Sequence, residues 1–287
     1  MSDAQVGIIG GSGLYDMPGI KVIEERTMDT PFGRPSDPYV IGEFEGIRVA
    51  FLSRHGRGHR FTPTELNYRA NIYGLKALGV HTILSASAVG SMKEMYAPTD
   101  IVFPHQFIDR TRHRHDTFFG GGIVGHVDFA DPICAGASFV VSGVARDAGA
   151  RVHEGGVYIC IEGPQFSTRA ESNLYRSWNV DVIGMTNLTE AKLAREAEIC
   201  YVTMALVTYY DCWHESGDVS VEQILGYLRA NAAMAQTVLR NSIPKVAARR
   251  RNCACADALQ FAIITDPSLV PAKLKEDLKP IIGRYIH

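Results

Sequence analysis

The chain has 287 residues, 46% hydrophobic and 21% charged, ordinary usage for a folded protein that excludes disordered, collagen-like and low-complexity chains. Its 29 Lys plus Arg against 31 Asp plus Glu leave a net charge of −2, so no overall positive field marks a dedicated binder of nucleic acid or anionic membrane. The six cysteines are too few for a disulfide scaffold and fit a reducing compartment.

Residues 1–5 carry no basic segment or cleavage site of a secretory signal, and a strand is expected over 6–9. Further strands are expected over 49–52 and 82–86. Between them, Thr62-Pro63-Thr64-Glu65 reads as a capping box with Pro at the first helical position, opening a helix that reaches about Leu78 and stops at Gly79. Helices over 137–148, 168–178 and 188–197 alternate with strands over 157–161, 180–183 and 199–207. Ser220 with Gln223 caps a long amphipathic helix to about Val246. The longest uncharged stretch near a strand, 199–210, falls well short of the ~20 apolar residues of a membrane helix, and a cytoplasmic location is expected. The alternation predicts an α/β fold, one domain with a mixed, mostly buried central sheet flanked by helices. No linker divides the chain. The boundary is placed at 248, with 249–287, opening on Arg249-Arg250-Arg251 and Cys253-Ala254-Cys255, as a C-terminal extension packed on or beside the domain.

The candidate chemistry sits where strands are expected to end. Gly7-Ile8-Ile9-Gly10-Gly11-Ser12-Gly13 is either a tight turn or a cradle of backbone N–H groups for an anion; it lacks the third glycine of a dinucleotide fingerprint and the Lys of a phosphate-binding loop. The run over 53–59 brings Arg54, His55, Arg57 and His59 out of a strand with two glycines, as an exposed loop suited to phosphate or merely solvated. Small residues over 85–91 read as a further turn open to a ligand, and 161–171, 184–187 and 208–213 repeat the position with Phe166, Met185, Thr186, Tyr209 and Tyr210. His113, His115, His126 and Cys134 suggest a metal only weakly, because no C-x-x-C or H-E-x-x-H accompanies them; 109–116 reads as a charged loop. Cys253-Ala254-Cys255 lacks the two-residue spacing of zinc and redox motifs and is taken as an inert pair.

Seven segments together carry a resemblance: Gly-Ile-Ile-Gly-Gly-Ser-Gly-Leu at 7–14, Ser-Arg-His-Gly-Arg at 53–57, Asn-Tyr-Arg-Ala-Asn-Ile at 67–72, Gln-Phe-Ile-Asp-Arg-Thr at 106–111, Ile-Glu-Gly-Pro-Gln-Phe-Ser at 161–167, Ala-Lys-Leu-Ala-Arg-Glu-Ala at 191–197 and Asp-Cys-Trp at 211–213. With them the chain resembles the S-methyl-5'-thioadenosine phosphorylases of the trimeric purine nucleoside phosphorylase superfamily, and its Cys-Ala-Cys tail resembles that of bacterial members.

The resemblance implies a pentosyltransferase in which phosphate attacks C1' of S-methyl-5'-thioadenosine and adenine leaves, with phosphate as co-substrate and no metal or organic cofactor. It implies phosphate contacts from Ser12, Arg54, His55, Ser87, the backbone at Ala88 and Thr186. It also implies Met185 under the ribose, and Phe166, Tyr209, Tyr210 and Asp211 facing the purine. Asp211 and Tyr209 are the expected catalytic groups. The 5' group is expected against Val221 and Ile224, with His126 arriving from a neighbouring subunit of a trimer or dimer of trimers. Where the family has Asp-Tyr-Asp, this chain has Tyr209-Tyr210-Asp211. A phenol therefore replaces the carboxyl expected at N7. Ser167 stands where relatives specific for 6-oxopurines carry Glu, which suits adenine. The alternatives carried by these substitutions are a methylthioinosine or general purine nucleoside phosphorylase, and a nucleoside-binding homologue weakened in catalysis by Tyr209.

Overall fold

The computed structural model describes residues 3–11, 17–215 and 221–287, and for Val221, Gln223, Ile224, Leu225 and Leu228 the backbone alone. The expected contact of Ser12, the side-chain contacts of Val221 and Ile224, and the Ser220 cap lie outside the described residues. The strands are β1 (Val6–Gly10), β2 (Lys21–Arg26), β3 (Tyr39–Phe44), β4 (Ile47–Ser53), β5 (Thr82–Ser91), β6 (Ile101–Phe103), β7 (Gln106–Arg110), β8 (Val152–Glu154), β9 (Val157–Ile161), β10 (Val182–Gly184) and β11 (Cys200–Tyr210). The helices are α1 (Tyr68–Ala77), α2 (Ala135–Asp147), α3 (Arg169–Ser177), α4 (Asn187–Glu196), α5 (Val221–Ala247), α6 (Ala272–Asp277) and α7 (Lys279–Ile282).

The α/β expectation holds: all eleven strands join one mixed sheet, β2-β3-β4-β1-β5-β10-β9-β7, with β11 on β5 and the β6–β8 pair beyond it. The sheet forks at β5. Its first residues pair in parallel with β1 and with β11, whereas its last two pair antiparallel with β10. This forking explains why β5 runs to Ser91 rather than ending at 86: residues 85–91, read from the sequence as a turn, are the second half of a strand. Their small side chains let two neighbouring strands and a ligand approach one backbone. Ala88 is the single exposed position of that strand.

β1 and β11 are apolar and buried nearly throughout, as a sheet covered on both faces requires. Ile8, Leu84 and Val202 face one core with α2 and α5, and Ile9, Ile83 and Tyr201 face another with α1 and α4. The second core also takes in Leu259, Leu278, Ile281, Ile282 and Ile286 of the extension. Residues 249–287 thus contribute to the same interior as the first strand.

Two helix starts differ in instructive ways. Thr168 caps α3 with the full reciprocal box to Glu171. The same pattern at Thr62 and Glu65 closes only a turn, Glu65 accepting from the Thr62 backbone and hydroxyl, and α1 begins later, capped by Asn67. As expected, α1 stops before Gly79, whose φ of +90° is a conformation that favours glycine.

Candidate active site

Six strands deliver residues to one cavity of about 800 Å³, β9 through its last residue, Ile161. Gly11 follows β1, Arg54 and His55 follow β4, Ala86, Ser87 and Ala88 come from β5, Met185 and Thr186 follow β10, and Thr208 and Tyr209 come from β11. Phe166 and Pro164 close one side, and Arg229 and Gln236 of α5 another. Ligands of α/β sheets gather at such strand ends, where several chain segments diverge.

The polar wall is organised by residues that the sequence reading did not single out. Arg54 does not stand on an exposed loop: it is 3% exposed, and its guanidinium is directed inward. Nε donates to Glu190 Oε1 at 2.5 Å, Nη1 to the Ala86 carbonyl at 3.0 Å, and Nη2 to Ser85 Oγ at 2.6 Å and Glu190 Oε2 at 3.2 Å. Of its five N–H groups, only one remains for a ligand. Burial opposes the Arg54 charge, but Glu190 outweighs it and raises the pKa above its ordinary value. Glu190 itself resists the upward push of burial because Arg54 holds its carboxylate down.

Ser85 and Tyr201 also donate to Glu190, at 2.8 and 2.7 Å, and pass the network to Asn187. The Asn187 amide donates to Ser85, Tyr201 and Thr203 and accepts from Ser87 at 2.7 Å and Tyr158 at 3.1 Å. Both Asn187 and Glu190 are buried. Asn187 closes the 184–187 turn singled out from the sequence, but Glu190 carried no signal, because a polar residue on a helix reads as surface until partners on other strands, such as Arg54 and Ser85, are known.

His55 is held by a 2.8 Å contact from Nδ1 to the Phe61 carbonyl and stacks on His59 with ring centroids 4.2 Å apart. A carbonyl only accepts, so Nδ1 carries the hydrogen. Burial first, then the Arg54 charge, pushes its pKa down to about 4. The imidazole is therefore neutral at pH 7, and Nε2 is a hydrogen-bond acceptor.

The opposite wall is apolar and aromatic. Phe166 meets Tyr209 edge-on at 5.5 Å. The Tyr209 ring lies over Gly90, where an added Cβ would come within 2.6 Å of it, so Gly90 makes the ring's position possible. Burial above all, then Asp211, raises the Tyr209 pKa well above that of free tyrosine. Its phenol stays protonated. Gly184 similarly admits the Tyr158 hydroxyl, 1.9 Å from where a Cβ would sit. Arg114, in the run read as a charged loop, is buried and donates to the carbonyls of Met185 and of Glu162, fixing both aromatic-wall turns.

Of the residues singled out from the sequence, Arg54, His55, Ser87, Ala88, Thr186, Met185, Phe166 and Tyr209 line this cavity; Tyr210, Asp211, Ser167 and His126 are not among its described lining residues. Strand alternation turns Tyr210 to the other face, where it donates to the Glu94 carbonyl and stacks on His214 at 4.2 Å. Asp211, past the strand end, is 1% exposed and its Oδ2 meets no partner among the described residues; burial raises its pKa. The Ser167 hydroxyl is also buried without a partner among the described residues, and its carbonyl accepts from Cys212 Sγ at 3.5 Å. His126 is exposed beside the extension, its backbone N–H donating to the Ala262 carbonyl. Arg60, Phe61, Thr62 and Pro63 line the cavity as well; Thr62 and Pro63 were read from the sequence as a helix start, and Arg60 and Phe61 fell between that reading and the run over 53–59.

Residues 5–244 match the family model of the phosphorylase superfamily. The chain belongs to the phosphorylase superfamily. Relatives in it named S-methyl-5'-thioadenosine phosphorylase include those of Geobacter sulfurreducens, 59% identical over 98% of this chain and 99% of the relative, and Koribacter versatilis, 59% identical over 98% and 97%. Among solved phosphorylases, a methylthioadenosine phosphorylase from an antarctic soil metagenomic library superposes with a TM-score of 0.94 at 46% identity, covering 98% of this chain and 99% of that one. A methylthioadenosine phosphorylase of Schistosoma mansoni in complex with adenine gives 0.86 at 34% identity over 91% and 99%. The nucleoside phosphorylase fold and the pentosyltransferase class expected from the motifs stand.

Proposed function

We propose that this chain catalyses phosphorolysis of S-methyl-5'-thioadenosine, giving adenine and 5-methylthioribose 1-phosphate, with phosphate as the only co-substrate and neither metal nor organic cofactor in the reaction. The observation that carries the reading is the two-sided cavity: small hydroxyls and a neutral imidazole on one wall, and Met185, Phe166 and Tyr209 on the other. A phosphate and a nucleoside are the two chemistries these walls suit. Names shared by relatives at 59% identity over nearly full length supply the substrate.

In the reaction, a phosphate oxygen forms a bond to C1' as the C1'–N9 bond breaks, and the bonding pair leaves with the purine. Positive charge grows on the sugar and negative charge on the base, so a phosphate held beside the sugar is both nucleophile and counter-ion. Thr186 and the last N–H of Arg54 hold it, and Ser87 joins them when its one O–H turns from Asn187 to the phosphate. Nε2 of His55, an acceptor, takes the O–H of hydrogen phosphate. Tyr209 supplies what the leaving purine needs: a neutral phenol, kept protonated by burial, can donate its O–H to N7, which an ionised carboxylate cannot. The phenol thus serves as the leaving-group donor rather than as a defect. A homotrimer in the cytoplasm remains the assembly we infer, with His126 facing a neighbour's 5' pocket.

The experiment is release of free base from methylthioadenosine, methylthioinosine, adenosine and inosine, each with and without phosphate. Phosphate-dependent adenine release, fastest from methylthioadenosine, is expected; its absence refutes the proposal. Tyr209→Phe should lower kcat by about 10²-fold while leaving KM within a few-fold, the scale of a positioned proton donor. An unchanged kcat would remove the phenol from the leaving-group step.

A further inference from the structure

The CxC pair does not stand alone. Cys134, immediately before α2, and Cys200, the first residue of β11, converge with Cys253 and Cys255 so that all four Sγ atoms lie within 4.8 Å of one another. Three of the four are buried and Cys253 is half-buried; all are free thiols. The Cys134–Cys253 and Cys200–Cys253 sulfur separations are 3.8 and 3.4 Å. A tetrahedron of sulfurs around a zinc-like ion at about 2.3 Å has edges of about 3.8 Å. The chain thus places four sulfurs at nearly the spacing such an ion requires.

The surroundings match the charge of such a site. Four thiolates around a divalent cation leave a net −2, which costs heavily in a partly buried place unless cations are near. Arg249 Nη2 lies 3.1 Å from Cys200 Sγ, 3.6 Å from Cys134 Sγ and 3.9 Å from Cys253 Sγ. Donors to coordinated sulfur of this kind orient and stabilise a thiolate site. A second cavity, of about 610 Å³, is lined by Cys134, Cys253 and Cys255 together with His105, Glu154 and Arg195, and shares no lining residue with the catalytic cavity. An ion can reach the sulfurs through it.

We propose that Cys134, Cys200, Cys253 and Cys255 form a structural tetrathiolate site for a zinc-class divalent ion, which clamps the extension to the start of β11 and the start of α2. The step is one of coordination without redox change: the ion gains four sulfur bonds and the four thiols release their protons to solvent. The inference is independent of the proposed phosphorolysis, since none of its residues lines the catalytic cavity.

The test begins with the full chain purified without chelator. Elemental analysis should find about one zinc per chain, and Co²⁺ added to chelator-stripped, reduced protein should give the intense ligand-field and sulfur charge-transfer absorption of tetrahedral cobalt thiolate. Cys253→Ser and Cys255→Ser should each abolish that spectrum, and Cys212→Ser, outside the cluster, should keep it. Arg249→Ala, which leaves the sulfurs in place, should weaken Co²⁺ binding by about 10–100-fold. Wild-type protein that neither retains zinc nor develops the cobalt spectrum overturns the proposal. So does uptake of only two alkyl groups by the six cysteines of the denatured, chelator-treated chain without reductant, because the four sulfurs would then be paired as two disulfides. Circular dichroism of each variant separates loss of the ion from loss of the fold.

Discussion

Arg54 illustrates how a residue can be read correctly in type and wrongly in role. Its position after a strand was visible in the sequence; its partner Glu190, 136 residues along the chain, was not. Arg54→Ala is therefore expected to do more than weaken phosphate binding, because it strands a buried carboxylate. Breaking a buried pair on one side costs about 3–5 kcal/mol, which urea unfolding should register. Replacing Glu190 by Gln in the same chain should recover part of that loss while activity stays low. An Arg54→Ala variant as stable as the parent would show that the pair is not the anchor described here. The aromatic wall was more legible. Phe166, Met185 and Tyr209 stand in short motifs after strands, where local sequence and position in the sheet coincide; Asn187 and Glu190 draw their meaning from hydroxyls on other strands.

Among the elements, those with a buried apolar face were legible and those without one were not. β9 matches its expected span, and α4 and β11 differ by a few terminal residues, since their burial is written as continuous or periodic hydrophobicity. β2 is Lys-Val-Ile-Glu-Glu-Arg with its side chains largely exposed, an edge strand held by pairing with β3, and no apolar pattern announces it. Capping boxes were only half informative: the pattern forms at both Thr62 and Thr168, but just the second is followed by residues that continue as a helix. At α3 the cap fixes the chain two residues beyond Phe166. Thr168→Ala should cost about 1 kcal/mol, and loosening of the aromatic wall should appear as a raised nucleoside KM with little change in the phosphate KM. Equal KM values for both substrates before and after the substitution would show that the wall is held without α3.

For the whole molecule, two buried groups set opposite acid–base trends. Burial, aided by Asp116, raises the Glu196 pKa to about 7 despite hydrogen bonds from Phe118 N–H and Thr117 Oγ1. Its folded-state pKa exceeds the ordinary value of 4.5, so the stability it contributes is present below pH 4.5 and is lost as pH rises through 7. His55 works the other way: with a folded value of about 4 against an ordinary 6.5, its contribution is present above pH 6.5 and lost as pH falls toward 4. Glu196→Gln should therefore raise the melting temperature at pH 8 and change it little at pH 5, as thermal melts in parallel buffers would show. A uniform shift at both pH values would mean that Glu196 does not titrate in this range.

The shared core has a temporal consequence. Leu75 and Leu78 near the end of α1 lie against the same interior as Leu278, Ile281 and Ile282, and the Tyr73 hydroxyl donates to the Asp277 carbonyl at 2.8 Å. On the ribosome, roughly 200 further residues must be added after Leu78 before Ile281 exists, about 10–40 s at the usual 5–20 residues per second. Earlier-made residues such as Leu193 and Ile199 share that interior, but until the chain's last helices exist the part of the α1 face that those helices cover has no partner of its own. Synthesis of this protein is therefore a race between completion of its last forty or so residues and capture of that face by a chaperone or by another nascent chain.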